Sequence, residues 1–272
     1  MPLNVIALDL DGTLLNDNKM IPQASLDAIF DAKAKGIDVI IATGRHHIAI
    51  TEYYHLLELS TPAVCCNGVY LYDIHNDSVL SRTPVTHNHV EKMVALGNEH
   101  GIPFYLYVDK VMLYSDVESH KARISGWDEA HQAHLDRVFK HFPDYLDATN
   151  HFNDLWKFSC AWHDIPALKK FADAIEQKAG LQCLWSWDNQ VDIAIPGTGK
   201  GHRLKEYVES IGKTMDNVIS FGDNFNDVSM LEMAGMGVAM GNHAKGVELH
   251  ADIVIGDNNS DAIAKAIRQY VL

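Results

Sequence analysis

Three short stretches of this chain are apolar without alternation: Asn4-Val5-Ile6-Ala7-Leu8, Asp38-Val39-Ile40-Ile41-Ala42 and Asn217-Val218-Ile219-Ser220-Phe221. A strand with one face in water alternates apolar and polar residues. A continuous run has to be covered on both faces, as in a parallel sheet flanked by helices. The intervening segments supply those helices. Pro22 opens one that carries Leu26, Ile29 and Phe30 and stops at Gly36, the usual order of N-terminal proline and C-terminal glycine. Another is expected over 46–58, and Leu204, Tyr207, Val208 and Ile211 follow the i, i+3, i+4, i+7 spacing of an amphipathic helix. Pro62 to Cys66 and Val69 to Tyr72 read as extended segments joined by the turn dipeptide Asn67-Gly68. The expected class is α/β with a parallel sheet.

Each apolar run stops at residues that carry chemistry. The first ends at Asp9-Leu10-Asp11-Gly12-Thr13, the second at Thr43-Gly44-Arg45 and the third at Gly222-Asp223-Asn224-Phe225-Asn226-Asp227. Lys200 opens a helix behind Gly197-Thr198-Gly199. In a parallel sheet the carboxyl ends of the strands form one edge, and ligands bind in the crevice outside it. Asp9 and Asp11, two apart in an extended segment, project on one face. They can divide labour, one as a nucleophile on phosphorus and the other as general acid and base. Gly12 allows a sharp turn, so that amides of the Leu10–Gly12 loop can face phosphate oxygens.

Thr43, Gly44 and Arg45 would add a hydroxyl, an amide and a positive charge. A lysine at the positive end of a helix dipole is electrostatically out of place unless an anion is held there, which points to Lys200 as a phosphate ligand. Oxygen donors of the kind offered by Asp9, the Asp11 carbonyl and Asp223 suit Mg²⁺. Asp227 would orient those ligands or Lys200, and Asn226 lies between the two aspartates in sequence. Taken singly, each part has an ordinary reading: an Asp-Gly turn, a capping threonine, an exposed lysine, an Asn or Asp helix cap. Four of them on one sheet edge do not.

From about residue 84 the texture changes. Val90, Met93, Val94 and Gly97 mark a helix, two short strands follow around Phe104–Val108 and Val111–Tyr114, and 115–151 is polar and histidine-rich without a clear period. A strand through Trp156–Trp162, a helix with Ile165, Leu168, Phe171, Ala172 and Ile175, and strands around Leu181–Trp187 and Gln190–Ile195 complete this part. The expected organisation is a core of residues 1–83 and 192–272 around an inserted α+β unit at 84–191.

A formal charge of −14 disfavours nucleic-acid binding and leaves an anionic substrate dependent on local cations. No apolar stretch approaches the roughly 18 residues needed to cross a bilayer, and no leader pattern opens the chain, so a cytoplasmic protein without membrane partners is expected. The four cysteines lack zinc or disulfide-framework spacing. The sixteen histidines, among them His120, His131, His134, His141 and His151, lack a helical His-x-x-x-His pair beside a glutamate.

The four segments match, in order and spacing, those of the haloacid dehalogenase-like (HAD) phosphohydrolases, and the chain resembles their Cof-type branch along its whole length. The resemblance implies a Rossmann-like core with a C2-type cap inserted after the third core strand, closing to exclude water. It implies a Mg²⁺-dependent phosphatase that hydrolyses small phosphomonoesters, pyridoxal 5′-phosphate or sugar phosphates or both, through an aspartyl-phosphate. Asp9 would be the nucleophile and Asp11 the acid and base. Thr43 and Lys200 would be phosphate ligands, Asn226 would lie close to the phosphate, and Asp9, the Asp11 carbonyl and Asp223 would hold the metal. Ala63-Val64-Cys65-Cys66-Asn67-Gly68 and Leu184-Trp185-Ser186-Trp187-Asp188-Asn189-Gln190-Val191-Asp192 look like the bacterial enzymes described as pyridoxal-phosphate phosphatases, which accept several small phosphomonoesters. Two alternatives share parts of the inventory: a capped phosphomutase, and a receiver-type phospho-aspartate switch, against which the extra acid Asp11 and the insert argue.

Overall fold

In the computed structural model, which describes residues 2–125 and 138–272, the chain divides into two units: Met1–Arg82 with Gly197–Leu272, and Thr83–Pro196. In chain order the first unit holds strands β1 (Val5–Leu8), β2 (Asp38–Ile41), β3 (Ala63–Cys65), β4 (Tyr70–Asp73) and β5 (Ser78–Arg82). The second holds β6 (Tyr105–Val108), β7 (Val111–Tyr114), β8 (Phe139–His141), β9 (Leu155–Ala161), β10 (Gln182–Trp187) and β11 (Gln190–Ala194). The chain then returns to the first unit for β12 (Val218–Gly222), β13 (Met236–Ala239) and β14 (Ile253–Val254).

The three apolar runs are the adjacent parallel strands β12, β1 and β2 of a sheet ordered β14-β13-β12-β1-β2, with Val5 in register with Val218 and Asp38. Every residue of β1 is buried, as a continuous run requires. Val5 and Ala7 pack with Leu204 and Val208 of the helix Lys200–Ser210. Ile6 and Leu8, equally buried, project to the opposite face by the pleat. The helix Gln23–Ala34 follows Pro22, ends before Gly36 (φ +77°) and packs on the closing helix Ala262–Tyr270. β3 continues the sheet edge through a parallel bridge between Ala42 and Val64, and β3, β4 and β5 form a small antiparallel sheet. The carboxyl ends of β1, β2 and β12 therefore lie side by side.

The second unit is α+β, a six-stranded sheet ordered β10-β11-β9-β6-β7-β8 and antiparallel except between β7 and β8. Leu106, Phe158, Cys160, Val191 and Ile193 share a core with Val90, Met93 and Leu96 of the helix His87–His100 and with Leu168 and Phe171 of the helix Ile165–Ala174. The boundary expected at 191/192 falls elsewhere. β11 pairs with β9 and β10, and its Val191 and Ile193 are buried in this core, so the chain leaves the second unit only after Pro196. Within 115–151, Asp116 and Asp144 cap the short helices Val117–Ile124 and Tyr145–His151. Residues 126–137, with His131 and His134, lie outside the described residues. No described helix is long and apolar enough to cross a membrane.

Candidate active site

Asp9 follows the last residue of β1, and its N–H still bonds to the Phe221 carbonyl of β12 at 3.1 Å. The chain then turns: Leu14 N–H reaches the Asp9 carbonyl at 3.2 Å and Leu15 N–H the Leu10 carbonyl at 2.8 Å. Leu10 is fully buried, so its side chain serves the core and only its backbone is available to a ligand. The turn requires Gly12, at φ +80°, where a Cβ would stand 2.4 Å from Asp223 Oδ2. Thr13, absent from the sequence-derived site, donates its hydroxyl to Asp223 Oδ1 at 2.8 Å. Gly12→Ala is expected to push Asp223 out of place, weakening divalent-cation binding by about tenfold or more, since a misplaced ligand weakens a site on that scale. A calorimetric titration of both proteins with Mg²⁺ checks this.

Lys200, the first residue of its helix, is completely buried. Its Nζ donates to Asp9 Oδ1 at 2.6 Å and to Asp227 Oδ1 at 2.5 Å. The other oxygen of Asp227 accepts the N–H groups of Asp223 and Asn224, both at 3.0 Å. Asp227 thus orients Lys200 and the loop after β12. Gly222 is needed there, because a Cβ would lie 2.5 Å from that of Asp227.

Carboxylate oxygens of Asp9, Asp223 and Asp227 lie within 4.8 Å of one another around this one lysine. Burial, with Asp227 close by, raises Asp9 to about 7 although Lys200 opposes it, and burial plus the neighbouring carboxylates raises Asp223 to about 8. Burial works against the charge of Lys200, yet Asp227 and Asp9 hold its pKa above the ordinary lysine value. Three buried carboxylates, which offer hard oxygen donors and carry more negative charge than one ammonium balances, fit a divalent cation. Asp9 and Asp223 would hold it, because Asp227 is already engaged with Lys200 and two amides.

The sign of the pH dependence follows. Between the unfolded aspartate value of 3.8 and the folded values of about 7 and 8, the metal-free fold binds more protons than the unfolded chain. These two groups therefore lower metal-free stability as pH rises through that window. A cation takes the place of the protons, so Mg²⁺ is expected to raise the melting temperature more at pH 8 than at pH 6. Its affinity should fall by about tenfold for each unit that the pH is lowered through this window, per proton displaced. Thermal melts with Mg²⁺ or EDTA at both pH values check this, and an equal increment would contradict it.

Asp11 lies in a separate grip. Arg45 Nε and Nη2 donate to its two oxygens at 2.6 and 2.7 Å, and Lys19 Nζ adds a third bond at 2.8 Å. Burial pushes Asp11 upward, but Arg45 and Lys19 outweigh it and hold the carboxyl well below the usual carboxylate range. Arg45 is braced by the Ala49 carbonyl at 3.3 Å and the Tyr53 ring at 5.3 Å. The structure places Arg45 on Asp11, then, where the sequence suggested a phosphate. Lys19, in a left-handed conformation (φ +59°) in the loop after Asn16, was not legible as part of the site.

Thr43 is buried, and its Oγ1 accepts the N–H of Arg45 at 3.1 Å. Gly44 lies against Asn67, whose Oδ1 would be 3.0 Å from a Cβ at position 44. Asn226 donates its Nδ2–H to Asn67 Oδ1 at 3.1 Å, while its own Oδ1 is buried without a hydrogen-bond partner among the described residues. Asn67 therefore belongs beside the motif residues, though as a turn dipeptide it gave no sign of it.

The sequence profile of haloacid dehalogenase-like hydrolases matches residues 6–267. Pyridoxal phosphate phosphatase YbhA of Escherichia coli (strain K12) is 44% identical over 272 residues, covering 100% of both chains. The 5-amino-6-(5-phospho-D-ribitylamino)uracil phosphatase YcsE of Bacillus subtilis (strain 168) is 30% identical, over 99% of this chain and 96% of its own. Among solved structures, the HAD-superfamily phosphatase BT1666 from Bacteroides thetaiotaomicron superposes with a TM-score of 0.85 at 23% identity, over 100% of this chain and 96% of its own. That last likeness speaks for the fold.

Proposed function

The chain belongs to the haloacid dehalogenase-like hydrolases and is a phosphatase, and from that premise we propose that it hydrolyses small phosphomonoesters of primary alcohols, pyridoxal 5′-phosphate foremost, through an aspartyl-phosphate on Asp9. The observation that carries this reading is the pair of carboxylates after β1 in two different grips. Asp9 is pinned by buried Lys200 beside Asp223, and Asp11 is held by Arg45 and Lys19. The substrate class rests on the two curated relatives, whose named substrates are both monoesters of a primary alcohol carried on a nitrogen heterocycle.

An Asp9 carboxylate oxygen attacks phosphorus and the phosphorus–ester oxygen bond breaks, with Asp11 giving its proton to the leaving alkoxide. Water then attacks the aspartyl-phosphate as Asp11 takes its proton, freeing Asp9 and inorganic phosphate. Lys200, Thr43 and the loop amides stabilise charge on the phosphoryl oxygens. Mg²⁺ held by Asp9, Asp223 and the Asp11 carbonyl would act as a Lewis acid on those oxygens. The grip of Arg45 and Lys19 keeps Asp11 ionised, which suits the water-activating half of the cycle. Asp11 serves as the acid once that grip is released and it has taken up a proton.

The test is phosphate release from purified protein with Mg²⁺ or EDTA against pyridoxal 5′-phosphate, sugar phosphates, nucleotides and an aryl phosphate. Metal-dependent turnover led by pyridoxal 5′-phosphate is expected. No release by folded protein would overturn the hydrolase reading, and a different leading substrate would overturn the preference alone.

A further inference from the structure

Asn67 sits where three motif loops meet, inside a run of three left-handed residues. Cys66, Asn67 and Gly68 have successive φ values of +51°, +57° and +86°. Two adjacent non-glycine residues in the left-handed region are uncommon, and such conformations persist only where surrounding structure imposes them. Here the imposing contacts are identifiable. Cys66 N–H bonds to the Arg45 carbonyl at 3.0 Å and Asn67 N–H to the Thr43 carbonyl at 2.9 Å. Arg203, nearly fully buried, donates Nε to the Gly68 carbonyl at 3.0 Å and Nη2 to the Val69 carbonyl at 3.1 Å. Ser81 and Glu206 anchor the far side of the same guanidinium at 2.7 and 2.6 Å. Gly68 packs so tightly on the residue before Lys200 that a Cβ would lie 2.1 Å from the Gly199 carbonyl.

Glycine would hold position 67 in this conformation at no steric cost, so the asparagine side chain calls for its own explanation. Its Oδ1 receives the Asn226 amide at 3.1 Å, across 159 positions of sequence, and its amide lies against Gly44. We propose that Asn67 is a positioning residue for the phosphatase reaction: held in a turn whose Gly68 and Val69 carbonyls Arg203 clamps, its side chain fixes Asn226 against the Thr43–Arg45 loop, and its turn sets both in register with Lys200. The proposal rests on the functional reading above and adds to it a residue that need not touch substrate.

Two substitutions separate the side chain from the backbone. Asn67→Gly keeps the left-handed turn and removes the side chain, whereas Asn67→Asp keeps an acceptor for Asn226 and adds a charge near the phosphate site. For Asn67→Gly the expected result is an unchanged melting temperature, kcat for an aryl phosphate lowered by about ten- to a hundredfold, as for small misplacements of reacting groups, and little change in KM. For Asn67→Asp, kcat should recover toward wild type while KM rises, because the carboxylate repels the dianion. Wild-type kcat in Asn67→Gly would overturn the proposal with the phosphatase reading intact. So would a loss that tracks a lowered melting temperature and is no smaller in Asn67→Asp. Absence of turnover in the wild-type protein would overturn both.

Discussion

Lys200→Met is expected to be the most destabilising single change in the site, lowering metal-free stability by about 3–5 kcal/mol at pH 8, the cost of leaving a buried charge unpaired. Methionine fills a similar volume, so packing contributes little. The loss comes from Asp9 Oδ1 and Asp227 Oδ1, which share the ammonium at 2.6 and 2.5 Å and have only traces of solvent in its place. Without the ammonium, the carboxyl of Asp9, already raised to about 7, rises further. The fold then binds still more protons than the unfolded chain, so the penalty grows with pH above the unfolded value and shrinks as pH falls and the carboxyls protonate. Urea unfolding at pH 8 and pH 5.5 reads both the size and the sign. A difference from wild type that is the same at both pH values would contradict this account of the lysine. Mg²⁺ should restore part of the stability, since it supplies the missing positive charge. It should leave kcat about a thousandfold down, because Lys200 is also the fixed charge proposed to face the phosphoryl group.

How much of this could be read from the chain depends on how local the signal is. Asp9, Thr43 and Asp223 were legible because each ends an apolar run that has to be covered on both faces, and the order of β1, β2 and β12 then places their ends together. Lys200 was legible because a lysine at a helix start conflicts with the dipole, and a carboxylate pair resolves the conflict here. The partners of Asp11 were not. The guanidinium of Arg45 comes from 34 residues away and Lys19 from a loop whose left-handed turn carries no glycine, so nothing local shows which way either side chain points. Asn67-Gly68 announced a turn correctly, but turn chemistry is silent on a side-chain bond to Asn226. The edge of the second unit falls a few residues beyond 191 because that position lies inside the strand Gln190–Ala194, which its pairing with β9 and β10 keeps whole in this unit. The caps Asp116 and Asp144 were present in the sequence, yet the helices that follow are too short for a period to stand out.

Asp9→Asn is expected to abolish turnover, lowering kcat by about 10⁴-fold or more, as loss of a covalent nucleophile does elsewhere, while leaving the fold at least as stable as the wild type. The amide is nearly isosteric and its oxygen can still accept the Lys200 bond, so the geometry at the end of β1 is retained. What changes is the charge. One of three mutually repelling buried carboxylates is removed, and with it a desolvated group that lowers metal-free stability as pH rises. Asp223, raised in part by Asp9, should titrate lower in the variant. A dead enzyme with an equal or higher metal-free melting temperature at pH 8 is the signature of a residue retained for chemistry at a cost in stability. A merely structural carboxylate would behave in the opposite way, with turnover kept and stability lost. Phosphate release and thermal melts on one preparation distinguish the two, and near-normal turnover would remove Asp9 from the role of nucleophile.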